Sequence, residues 1–203
     1  MKSYKIHIIR AGQSEGILAG RYVGRTQSPL STSAITDLCR LKGEFSYPQA
    51  EFFCASPSLA CVDSLKILYP QADPEVVLDL AECDFGDWEN KTAEELKDNP
   101  HFSLWLAGQE NPPGGESSQV FFTRICKGFQ LLVENLMFRG LTESLLVTTA
   151  GVMTSLLSAY GLPRAQPQDW MCDPGFGYSL RITPSLWTRQ PVMEVFDRCP
   201  KEK

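Results

Sequence analysis

Short apolar runs alternate with helix-period stretches along this 203-residue chain, and two of those runs break off at small residues. "YKIHIIR" (4–10) is a strand that passes into Ala11 and Gly12, and "SLLVTTAG" (144–151) is a strand running into Gly151. "AEFFCAS" (50–56), "PEVVLDL" (74–80), "GYSLRIT" (177–183) and "PVMEVFD" (191–197) read as further strands. Between them, Leu59, Val62, Leu65 and Leu68 recur at three-residue spacing and predict a helix over 58–70, with Pro57 suited to its first turn. Thr92 and Glu95 form a capping box ahead of a short helix that ends before Pro100. Phe122, Ile125, Phe129, Leu132 and Leu136 form one stripe of a long helix over 117–139, and "VMTSLLSAYG" continues as a helix after Gly151. Strands alternating with helices imply an α/β fold: three layers, with a mostly parallel central sheet between helices. Ligands of such sheets sit beyond the carboxyl ends of the strands. Arg10-Ala11-Gly12 and Thr149-Ala150-Gly151 are therefore candidates for one crevice.

Composition narrows the partners. A hydrophobic fraction of 43% supports a real core, and the length suits a single domain over 1–203. A net charge of −5 argues against a general nucleic-acid or anionic-membrane surface. No stretch approaches the roughly 18 apolar residues of a membrane span. The seven cysteines show no C-x-x-C spacing, so neither a metal nor a redox centre is expected. A reduced, cytoplasmic protein is the expectation; oligomeric state is left open.

Taken in order, "IIRAGQSEG", "GRYVGRTQSPLS", "CASPSLACVDSLKIL", "LAECDFGDWENKTAEEL", "PPGGES" and "LLVTTAGVMTSLLSAYGLP" resemble the histidine phosphatase superfamily, which includes phosphoglycerate mutases and α-ribazole phosphatase-like enzymes. The resemblance covers nearly the whole chain. It implies a phosphoglycerate mutase-like fold in which 82–118 is a cap or insertion. It also implies phosphohistidine chemistry without a cofactor: a histidine attacks phosphorus, two arginines and a second histidine hold the phosphoryl oxygens, and a glutamate protonates the leaving oxygen.

Carried over position by position, the match is partial. Arg10 and Gly12 fit the first motif, while Ala11 stands where the resemblance implies the nucleophile. Ile17 stands in place of a common phosphate-binding asparagine, and Gln27 replaces a frequent aspartate. Ala60 occupies the position of the second arginine and Thr149 that of the second histidine. Glu82 matches the acid, and Gly115-Glu116-Ser117 is intact. These departures differ in kind and spread over five positions, as drift after lost catalysis would produce. His7 within a strand and His101 at a helix start are read as structural and surface residues. Cys54 fails as a phosphatase-loop nucleophile because position 60 is alanine, and Cys83 reads as a small buried residue.

Arg10, Gly12, Arg21 and Gly151 are the expected anion contacts, with Arg25 either beside them or on a solvated loop. Glu82 is expected to pair with Arg10, and Trp88, Phe85, Trp105, Trp170 and Trp187 to pack in cores. The expected ligand is a phosphorylated small molecule or an inorganic anion bound by a silent relative of the phosphatases. The rival readings are a weak phosphatase with an unusual nucleophile and a protein-interaction module.

Overall fold

Isoleucine fills the first strand because that strand is covered on both faces. Ile6 and Ile8 point into one apolar cluster with Phe129, Val152 and Leu156, while Ile9 joins Leu38, Leu65 and Val147 on the other side. This period-two alternation with apolar residues on both faces marks the centre of a three-layer sheet. The computed structural model describes residues 3–203.

In chain order, β1 (Tyr4–Arg10) is followed by α1 (Glu15–Leu18), α2 (Thr32–Glu44), β2 (Phe45–Ser46), β3 (Phe52–Ala55), α3 (Leu59–Leu68) and β4 (Glu75–Val76). Two 3₁₀ turns, Leu78–Leu80 and Gly86–Trp88, lead to α4 (Ala93–Leu96), α5 (Pro100–Leu106) and α6 (Ser118–Arg139). The remainder runs β5 (Glu143–Thr148), α7 (Ala150–Tyr160), β6 (Gly161–Leu162), β7 (Gly177–Ile182), α8 (Pro184–Trp187), β8 (Met193–Cys199) and β9 (Lys201–Glu202). Seven strands pair in the order β4-β3-β5-β1-β7-β8-β6. The pairs β4–β3, β3–β5, β5–β1 and β6–β8 are parallel, whereas β7 runs antiparallel to both β1 and β8. Helices α6 and α7 contribute to the cluster on one face, and α2 and α3 to the cluster on the other. Among the described residues, no helix is long and apolar enough to cross a membrane.

Several expectations need correction. The run 74–80 is not one strand: only Glu75–Val76 pairs, at the sheet edge, and the chain then turns through Leu78–Leu80. Val76 and Leu78 remain exposed there, so no second face holds the segment extended. In the first turn of α6 the inward aromatic is Phe121, while Phe122 is 39% exposed; one residue's rotation separates them. Pro57 precedes the N-cap Ser58 and so lies before α3. Gly151 lies inside the first turn of α7, since β5 ends at Thr148. Helix α2 carries little apolar periodicity in the sequence. Its buried stripe is only Ala34, Leu38 and Leu41, diluted by polar residues on every other side.

Candidate functional site

Three parallel strand ends converge on the crevice. After β1 come Ala11 and Gly12, after β3 comes Ser56, and after β5 comes Thr149, which caps α7 by accepting from the Val152 N–H at 3.5 Å. Ser56 Oγ donates to the Leu80 carbonyl and shares a hydrogen bond with Thr148 Oγ1, each 2.6 Å. That buried pair ties the strand ends to the segment carrying Glu82. The crevice encloses about 170 Å³, and its wall includes Arg10, Ala11, Ile17, Ala60, Glu82 and Thr149.

Arg10 and Glu82 both line this space without forming an ion pair. Arg10 Nη1 instead donates to the Cys172 carbonyl at 2.6 Å, and Glu82 Oε1 accepts from the Cys83 N–H at 2.9 Å. The expected pairing is therefore corrected, because each group is turned by a backbone partner. Glu82 lies against the start of α7 at Gly151. A Cβ there would lie 2.6 Å from Glu82 Oε1 and push the carboxylate aside. The carboxylate thus occupies the positive end of that helix, a place an anion would otherwise favour.

Two further expected contacts move elsewhere. Arg21 does not line the crevice; its Nη1 donates to the Asn90 carbonyl at 2.6 Å and meets Glu95 at 3.3 Å. Gly12 lines the crevice, but its N–H donates to Ser64 Oγ at 2.9 Å, so it is not free for an anion. Arg25 lies on the Glu116 side, 4.0 Å from its Oε2. Gln27 binds backbone groups of the loop before α3, donating to the Pro57 carbonyl and accepting from the Leu59 N–H.

The histidines sit away from the crevice. His7 is buried, with Nδ1 2.8 Å from Ser179 Oγ; burial holds its pKa below the ordinary imidazole value, against the opposing pull of Glu143. His101 is exposed and pairs with Glu110 at 2.7 Å. Cys54 is fully buried, and burial raises its pKa strongly. The thiol of Cys83 is pushed up to about 12, first by burial and then by the carboxylates of Glu116 and Glu82. Cys61 lines the crevice, and burial likewise pushes its thiol up to about 12. Among the described residues no cluster of three or more His, Cys, Asp or Glu is placed to hold a metal.

Arg124, outside every motif that carries the family resemblance, holds the Glu82 segment in place. Arg124 of α6 grips Glu116 through two bonds, Nε to Oε1 at 2.9 Å and Nη2 to Oε2 at 2.7 Å. The same guanidinium donates to the carbonyls of Asp79, Ala81 and Glu82. The only available signal was the eight-residue spacing of Glu116 and Arg124 across a helix start, which is weak. In the 82–118 stretch, Trp88, Leu96 and Phe102 form a separate cluster with Tyr22, Phe85 and Trp105; Glu82 alone of that stretch lines the crevice. Trp170 and Trp187 are buried in the main core.

The sequence profile of the histidine phosphatase superfamily (branch 1) matches residues 6–191. An adenosylcobalamin/α-ribazole phosphatase from Salmonella typhimurium is 26% identical over 160 residues, covering 76% of this chain and 78% of that one. The same-named Escherichia coli protein is 23% identical over 191 residues, covering 91% and 93%. The crystal structure of a phosphoglycerate mutase from Thermus thermophilus superposes with a TM-score of 0.65 at 26% identity, covering 96% of this chain and 97% of the other. That of the α-ribazole phosphatase from Shigella flexneri gives 0.73 at 21% identity over 88% and 90%, a likeness of fold. A strand-end crevice within this sheet order, together with a profile match over most of the length, places the chain in the histidine phosphatase superfamily (branch 1).

Proposed function

We propose that this chain is a silent member of its superfamily, one that binds a small anion at Arg10 without transferring phosphate. The observation that carries this reading is the crevice wall itself. Ala11, Ala60 and Thr149 stand around Arg10 and Glu82, and neither His7 nor His101 lines the space. A methyl group at position 11 offers no lone pair to phosphorus. Ala60 and Thr149 offer no positive charge to the oxygens on which negative charge builds during transfer. Glu82 keeps the position of a general acid with nothing to serve. By analogy with relatives named for phosphatase activity, the ligand is a small phosphorylated metabolite.

The crevice thiol does not rescue catalysis. Cys61 would have to be a thiolate to attack, and its burial keeps it protonated at neutral pH. Incubation with a labelled phosphodonor should therefore leave no acid-labile phosphate on the chain. Stoichiometric labelling would overturn the reading.

A further inference from the structure

Arg10 forms part of two walls. Besides the crevice, it lines a neighbouring cavity of about 390 Å³ with Met171, Cys172, Asp173, Phe176, Gly177, Arg198 and Cys199. We propose that this second cavity, between Arg10 and Arg198, is the anion site of the protein and takes a compact dianion such as a phosphate group. The inference rests on the reading above that an anion is held at Arg10, and adds on which side of Arg10 it sits.

Charge separates the two spaces. In the crevice Arg10 is offset by Glu82, so a dianion entering there meets a carboxylate already seated at the start of α7. In the second cavity two guanidiniums face one carboxylate, Asp173. Among the described residues, neither Arg10 nor Arg198 has a carboxylate oxygen within 4.0 Å of its side chain. Opposite charge in a recess is the condition under which an anion accumulates, and guanidiniums match the oxygens of phosphate as paired donors.

The local structure sets these groups in advance. Arg10 is turned toward this side by its bond to the Cys172 carbonyl. Arg198 lies across from Tyr178 in the β7–β8 ladder, its guanidinium 5.8 Å from the Tyr178 ring centre. Position 177 can hold no side chain, since a Cβ there would meet the Ile8 carbonyl oxygen at 1.8 Å, and this lets β7 lie close against β1. Both arginines act on the Cys172 thiol between them. Burial pushes it up to about 11, and Arg10 and Arg198 each pull it down.

Titration of the full chain with inorganic phosphate, followed by calorimetry, tests the placement. The parent should bind saturably, Arg198→Ala should weaken binding about tenfold or more, and Arg198→Lys should restore part of it. Arg189→Ala, which removes an exposed charge that lines neither space, should leave the affinity unchanged. If Arg198→Ala binds as tightly as the parent, this inference fails, and the reading of an anion at Arg10 stands if Arg10→Ala abolishes that binding. If the parent binds no phosphate, both fail. Arg198 is exposed, so urea melts of its variants should match the parent and separate lost binding from lost folding.

Discussion

The triple variant Ala11→His, Ala60→Arg, Thr149→His should gain measurable phosphomonoesterase activity, at least about a hundredfold above the parent, because each added group stabilises a step the others need. Ala11→His alone should gain little. In a well-studied hydrolase the loss of the nucleophile alone removes about six orders of magnitude, and groups that act as a unit give strongly non-additive effects. The scaffold for the repair is in place: Arg10 and Glu82 face the same crevice as positions 11, 60 and 149. The cost of the third change is modest. Thr149 caps α7 through a bond of 3.5 Å, and a lost cap typically destabilises by about 1 kcal/mol. Hydrolysis of a generic phosphoester by parent, single and triple variants, with a urea melt of each, reads the result. Equal activity in the single and triple variants would end the cooperative-site argument, and a folded triple variant without turnover would misplace positions 60 or 149.

Glu116→Ala should cost about 2–4 kcal/mol, among the larger effects open to a single polar substitution here. Glu116 is only 8% exposed at its side chain, and its removal leaves the Arg124 guanidinium without its carboxylate. Arg124 is itself 19% exposed, so water offsets part of the loss, and the expected value falls at the lower side of the range for fully buried pairs. Glu116→Gln keeps an acceptor and should cost less. The pH dependence follows with a definite sign. Burial raises the Glu116 pKa, but the bonds from Arg124 and the Asp84 N–H outweigh it and leave the folded value below the ordinary 4.5. The contribution is therefore fully present above pH 4.5 and is lost as pH falls through the lower folded value. Urea melts across the acid range should show a shallower acid loss for Glu116→Gln than for the parent. A loss below about 0.5 kcal/mol for Glu116→Ala, the level of an ordinary surface change, would mean the pair does not hold the Glu82 segment.

Much of the scaffold was readable because its causes are local. The apolar run 4–10, the three-residue spacing of 59–68 and the Thr92–Glu95 capping box each act within a few residues. They form the same elements wherever the chain is placed. The glycine at 151 was legible as a special position, although its reason, the room it leaves for a carboxylate from residue 82, was not.

The order of motifs along the chain was enough to place the protein in its superfamily and to set Arg10 and Glu82 at loops that meet. Which partner each charge takes was decided only by the tertiary structure. Arg10 bonds a carbonyl 162 residues away because β7 enters the sheet antiparallel beside β1 and brings the 171–176 segment next to it. Arg21, close to Arg10 in the chain, is drawn instead to Glu95 across a separate aromatic cluster. Helix α2 escaped notice because three buried side chains suffice once α3 and the sheet supply the other wall of the core. Periodicity and capping depend on near neighbours, and a sequence displays them. A guanidinium's partner depends on which strands lie side by side, and that is settled only when the sheet closes.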